Sequence, residues 1–192
     1  MAGQAGFTLV ELMVVIAIVL LLLLIAVPSF ADLIDRARVR GAAGAAISVL
    51  TEARGGSVQR NRDVVVNFTG TGATWCLGAK SAADPAVGAA VNPAVDDAPC
   101  QCDTAATLCT VGNQQLSVLS SDYNGVTMGA APANFNFSGL MGDVQPLPVA
   151  PTSVTFTSPK GKYQIQMTVA PLGQTSLCTP SGQPAIPGIV SC

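Results

Sequence analysis

The side chains best equipped for chemistry in this chain are six cysteines, Cys76, Cys100, Cys102, Cys109, Cys178 and Cys192, and no histidine stands beside them anywhere in the 192 residues. Without imidazole there is no Ser/His or Cys/His nucleophile pair, and the commonest metal ligand is missing. An even number of thiols, all beyond the long apolar run that ends at Val27, points to disulfides in an oxidising compartment. Sequence permits about 15 pairings. We expect Cys178 to close on Cys192, because the tail TPSGQPAIPGIVS otherwise has nothing to hold it. Cys100 and Cys102 stand too close to bridge each other easily, so each should reach Cys76 or Cys109. A zinc site built from these four would lack the usual paired C-x-x-C spacing. The chain shows neither a phosphate loop nor a recognisable pair of catalytic carboxylates, and Asp96-Asp97 reads as a solvated loop. No enzyme activity, cofactor or metal is expected.

The other reactive group is Glu11, the only charge in the 21 residues FTLVELMVVIAIVLLLLLIAV from Phe7 to Val27. As a helix this run spans roughly 31 Å, enough to cross a bilayer once. It is longer than the apolar region of a secretory signal peptide, about 7 to 15 residues, and it lacks the basic start. A carboxylate in such a segment costs several kcal/mol unless it is paired. The preceding MAGQAG ends at Gly6, a residue that lets a protease approach the backbone closely. A cut there would leave Phe7 with a free amine one helical turn from Glu11.

The elements that position these groups follow from composition and periodicity. Hydrophobic residues make up 49%, mean hydropathy is +0.50, and charged residues are 10% where soluble domains carry about a quarter. That is not the composition of an ordinary cytosolic domain. Nineteen glycines, 13 prolines and 5% aromatics describe a loop-rich fold with a modest core and no large aromatic cofactor pocket. All six arginines (Arg36, Arg38, Arg40, Arg54, Arg60 and Arg62) fall between residues 36 and 62, and beyond Val64 three lysines face six aspartates. From Pro28 to about Arg54, apolar residues recur at three- and four-residue steps, which predicts an amphipathic helix. Pro28 should bend or locally melt it, and Gly55-Gly56 should end or fray it. The small residues from Gly41 to Ala46 either admit another backbone or simply weaken the helix, and the arginines read mainly as a solvated face.

Short β-like runs follow at 64–68, 75–77, 116–119, 126–128, 135–137, 154–157 and 163–169, divided by Gly, Pro and Asn turns. The last alternates cleanly, so one face should be buried. Residues 79–99 read as a long surface loop. The expected fold class is α+β: a long N-terminal helix packed on an antiparallel sheet or small sandwich carrying disulfides. The expected divisions are 1–6, a leader; 7–27, a transmembrane helix; 28–62, an amphipathic helix and linker; and 63–192, a β-rich head.

Gly6-Phe7-Thr8-Leu9-Val10-Glu11, the unbroken apolar run and Pro28 together resemble the class III leader of type IV pilins and pseudopilins. The resemblance implies that a prepilin peptidase cleaves after Gly6 and methylates Phe7. It also implies that Glu11 serves assembly by meeting a neighbour's amine, and that Pro28 is the family's helix-softening proline. MAGQAG holds no Lys or Arg, unlike most such leaders, so the N-in orientation rests on the cleavage motif. Ala53-Arg54, Arg60-Asn61-Arg62, Trp75-Cys76-Leu77-Gly78, Cys100-Gln101-Cys102 and the late Gly-x-x-x-x-Cys spacing resemble the GspH/FimT minor pilins.

That likeness implies a noncatalytic FimT/FimU-like subunit of a type IV pilus, held in a bacterial inner membrane with its head in the periplasm and then assembled into, or initiating, the filament. Its partners would be the prepilin peptidase, other major and minor pilins, inner-membrane assembly proteins and membrane lipid. The alternatives are a GspH-like pseudopilin of type II secretion and a DNA-uptake minor pilin. The family's DNA-binding GRxR signature falls on Gly173-Gln174-Thr175-Ser176, where both arginines are missing. With an acidic body besides, this counts against DNA binding.

Overall fold

The computed structural model describes residues 8–81, 100–146 and 150–192, with the side chains of residues 25–29 outside that description. The chain divides into two compact units, Met1–Asp35 and Arg36–Cys192. Helix α1 (Leu9–Arg60) contributes to both.

In the first unit α1 is apolar from Leu9 to Leu24 apart from Glu11. Each residue from Leu9 to Leu24 is exposed, and the helical path continues through Pro28. The local melting expected there does not interrupt the element. Proline removes one backbone hydrogen bond, and the turns on either side keep the helical path.

In the second unit α1 buries Val39, Ala43, Ala46, Leu50, Ala53 and Ser57, spaced alternately four and three residues apart along one face. Ala42, Ala43 and Ala46 are fully buried in the core cluster, so the small-residue stretch is a packing face within the chain. The helix also passes Gly55-Gly56, where it was expected to end or fray, and continues to Arg60. A side chain at Gly56 would strike Val111, so close packing of the hairpin onto the helix overrides weak local propensity. The true stop is Asn61, in the left-handed region at φ 52°. Arg62 N–H donates to Ser57 O at 3.0 Å and Asn61 N–H to Val58 O at 3.2 Å, the paired bonds of a Schellman cap.

The strands form two five-stranded sheets. The first contains β1 (Val64–Thr71), β2 (Thr74–Ser81), β5 (Ser117–Leu119), β7 (Phe135–Phe137) and β8 (Val144–Gln145), in the order β5-β2-β1-β7-β8. The second contains β6 (Thr127–Met128), β9 (Thr152–Thr157), β10 (Gln164–Val169), β11 (Thr175–Thr179) and β12 (Val190–Ser191), in the order β12-β11-β10-β9-β6. A separate hairpin pairs β3 (Thr110–Val111) with β4 (Gln114–Gln115). All pairings are antiparallel except β11 with β12. This is the α+β architecture expected from the sequence.

Ile165, Met167 and Val169 point into the core from β10, as its alternation implied. Trp75 stacks edge-on to Phe156 across the two sheets, ring centroids 5.2 Å apart, and its Nε1–H donates to Val126 O at 2.9 Å. Residues 79–81 complete β2 rather than beginning a loop, with Ala79 fully buried; the remainder of that expected loop lies outside the described residues.

Candidate assembly site

Of the residues expected at the N-terminal site, Gly6 and Phe7 lie outside the described residues, and only the backbone of Pro28 is described. Glu11 stands exposed in the first turn of α1. Its backbone N–H donates to Thr8 Oγ1 at 3.2 Å, and Leu12 N–H donates to Thr8 O at 3.2 Å. Thr8 is therefore the helix N-cap and Glu11 the third residue in, the T-x-x-E spacing of a capping box. Motif reading alone had passed over this role, although the spacing is legible. It gives Glu11 two neighbours to serve: the positive end of its own helix and any cation brought to it.

Around Glu11 the apolar rod is uncovered. Leu9 is 70% exposed, Val10 69%, Leu12 57% and Met13 64%, and the same holds on every side as far as Leu24. Helices hydrophobic all round are found buried in a large core or a membrane. Among the described residues no helix is long and apolar enough to cross a membrane. The described side chains of the run end at Leu24, and the 16 residues from Leu9 span only about 24 Å. The sequence continues the apolar run to Val27.

In the second unit, three of the arginines also tie the helix to loops of the head, in addition to the solvated face expected of them. Arg38 Nη1 donates to Asn124 O at 3.3 Å, Arg40 Nη1 to Pro187 O at 2.9 Å, and Arg54 Nε to Gly142 O at 2.9 Å. The Arg36 guanidinium lies 5.2 Å from the Tyr163 ring centroid. Sequence offers no signal for these contacts, because the carbonyls they meet come from loops 86 to 147 residues away along the chain for the three hydrogen-bonded arginines.

The structure joins Cys76 to Cys102, Cys100 to Cys109 and Cys178 to Cys192, leaving no free thiol. The first two bridges form one buried cluster against β2. A side chain at Gly78 would run into Cys100 Sγ, with Cys109 Sγ 2.8 Å away, which explains why glycine follows Trp75-Cys76-Leu77. The third bridge holds the tail, whose Ile186 is 3% exposed. Gly173-Gln174-Thr175-Ser176 forms the turn into β11, and a side chain at Gly173 would crowd Gly142 O and Arg54 Nε. The guanidinium beside this turn is thus the one that holds the Gly142 loop. Among the described residues no cluster of potential metal ligands occurs.

A family model described as the prokaryotic N-terminal methylation motif matches residues 1–27. Among solved structures, two crystal forms of the type IV minor pilin FimU of Pseudomonas aeruginosa PAO1 are similar in outline. One is 18% identical over 72% of this chain and 90% of that chain, with a TM-score of 0.41. The other is 16% identical over 74% and 89%, with a TM-score of 0.43. A second family model, described as type II transport protein GspH, matches residues 42–173. That match runs from the buried face of α1, through both sheets, to the turn at Gly173, and by it the chain belongs to the GspH family.

Proposed function

We propose that this chain is a structural minor pilin: a subunit anchored in the inner membrane by residues 7–27, with its head on the periplasmic side, that is cut after Gly6, methylated at Phe7 and then inserted into, or used to initiate, a type IV pilus. The observation that carries the reading is the rod at Leu9–Leu24, exposed on every side and bearing the single carboxylate Glu11. Its apolar surface is satisfied by lipid before assembly and by the rods of neighbouring subunits afterwards. Glu11 then meets the freed amine of another copy, a pairing that sets register and leaves a costly unpaired charge when either partner is removed.

The test is the N-terminal mass of protein made with and without a prepilin peptidase. The expected product begins at methylated Phe7 only when the peptidase is present. A chain that stays intact from Met1, or is trimmed elsewhere, overturns the reading.

A second reading, a pseudopilin of type II secretion, is favoured by the family description over residues 42–173. Deletion in the native host separates the two. Loss of surface pili supports the first, whereas retention of normally secreted proteins in the periplasm supports the second.

A further inference from the structure

Five cations gather at one end of the head. Arg36 and Lys162 each stand 5.2 Å from the centroid of the Tyr163 ring. Arg40 follows Arg36 by four residues on the same helix and anchors at Pro187 O. Arg38 reaches Asn124 O, and the adjoining Gly125 packs on Pro159, the residue before Lys160. Arg38, Arg40, Lys160 and Lys162 remain exposed. Arg38 and Arg40 each give Nη1 to a carbonyl, and Arg40 Nη2 lies against Gly188, yet both residues keep exposed surface and further donors on their five-donor forks. Lys160 and Lys162 also hold contacts within the chain.

This concentration runs against the rest of the head. Beyond Val64 there are only three lysines, and two of them are here; the third, Lys80, is on β2. The carboxylates nearest in sequence are Asp32 and Asp35 before Arg36, and Asp122, whose Oδ2 accepts the Leu119 N–H. Asp32, Asp35 and Arg36 hold interactions of their own, and the five cations outnumber these three carboxylates in a chain whose net charge is −2.

The location matters as much as the sign. Arg36 is nine residues beyond Val27, where the apolar run ends, so the patch is tethered within about 32 Å of the bilayer even if that stretch were fully extended. With the N-terminus inside, these cations flank the span on the outer side, where the topology rule does not place them. Charge complementarity with anionic headgroups supplies a reason for their position.

The geometry points to a lipid-binding collar: Arg36, Arg38, Arg40, Lys160 and Lys162 take the phosphates of anionic phospholipids in the outer leaflet, holding the head against the membrane while the subunit awaits assembly. This rests on the membrane-anchored reading given above.

The full chain, reconstituted in nanodiscs of phosphatidylcholine alone or of equal parts phosphatidylcholine and phosphatidylglycerol, tests it by the rate at which each lysine is acetylated. In the anionic discs Lys160 and Lys162 should react about fivefold more slowly than in the neutral discs, and high salt should abolish the difference. Lys80 should react equally in both. Equal rates at Lys160 and Lys162 in the two discs, or protection that persists at high salt, overturn the collar while leaving the anchor intact. Protection that appears only when an oligonucleotide or other filament subunits are added assigns the patch to those partners and also overturns it. A chain that fails to enter either disc refutes the anchored reading itself.

Discussion

Glu11 has two possible duties at the start of α1, and substitutions can separate them by size of effect. As part of the cap, its N–H is held by Thr8 Oγ1 at 3.2 Å on an exposed turn. Losing that bond in Thr8→Ala costs about 1 kcal/mol, a fivefold change at most in any equilibrium that depends on an ordered first turn. As the partner of another copy's amine, Glu11 acts only through its charge, since it sits on a rod whose neighbours Leu12 and Met13 must lose their 57% and 64% exposure on assembly. Glu11→Gln keeps the backbone N–H, and hence the cap, but leaves the amine uncompensated in an apolar bundle. That costs about 3 to 5 kcal/mol, or roughly two to three and a half powers of ten in incorporation. The assay is quantitative mass spectrometry of the subunit in sheared filaments relative to the membrane pool, with the N-terminal mass showing that both variants are processed. Thr8→Ala should stay within about fivefold of the parent and Glu11→Gln should fall at least about a hundredfold. If Glu11→Gln assembles within twofold of the parent, or if Thr8→Ala falls as far, charge pairing is not what Glu11 contributes.

Three further outcomes concern the head. Replacing both Cys178 and Cys192 by serine opens a bridge between residues 14 apart; the unfolded chain gains about 3 kcal/mol of loop entropy, so the melting temperature measured by circular dichroism should fall by roughly 6 to 12 °C. Arg54→Met removes the donor to Gly142 O while keeping much of the stem's packing, and should lower stability in urea melts by about 1.5 to 3 kcal/mol without a change in m-value; an unchanged midpoint would show that the tie is not a stabilising one. Gly78→Ala drives a methyl into Cys100 Sγ, so thiol titration of the oxidised protein should reveal free thiol where the parent has none, whereas a fully bridged and equally stable variant would refute the packing argument.

Much of this fold was legible because its signals are local. The strand at 135–137 follows from β-like residues set between turn signals, the buried face of β10 from its alternation, and the helix from Pro28 onward from its three- and four-residue steps. Of the five strands missed, β3, β4, β8 and β12 are two residues long, β11 (Thr175–Thr179) mixes small polar residues with Leu177 and Cys178 and shows no clean alternation, and β12 pairs only with β11. At the candidate site the T-x-x-E cap is legible in four consecutive residues, Thr8 to Glu11, because a helix N-cap is set by local spacing alone.

What the sequence by itself determined is the rod and its lone carboxylate, the presence of disulfides and the absence of histidine chemistry, all properties of residue type and order that need no partner in space. What only the tertiary structure decided is where the helix ends, why Ala42, Ala43 and Ala46 are small, and what the arginines hold. Each of these depends on a surface delivered from far along the chain: Val111 lying over Gly56, the core closing on the alanines, and the carbonyls of Asn124, Gly142 and Pro187 arriving within reach of guanidinium groups. Local propensity is worth tenths of a kcal/mol per residue, whereas these contacts bury whole side chains, so they override it.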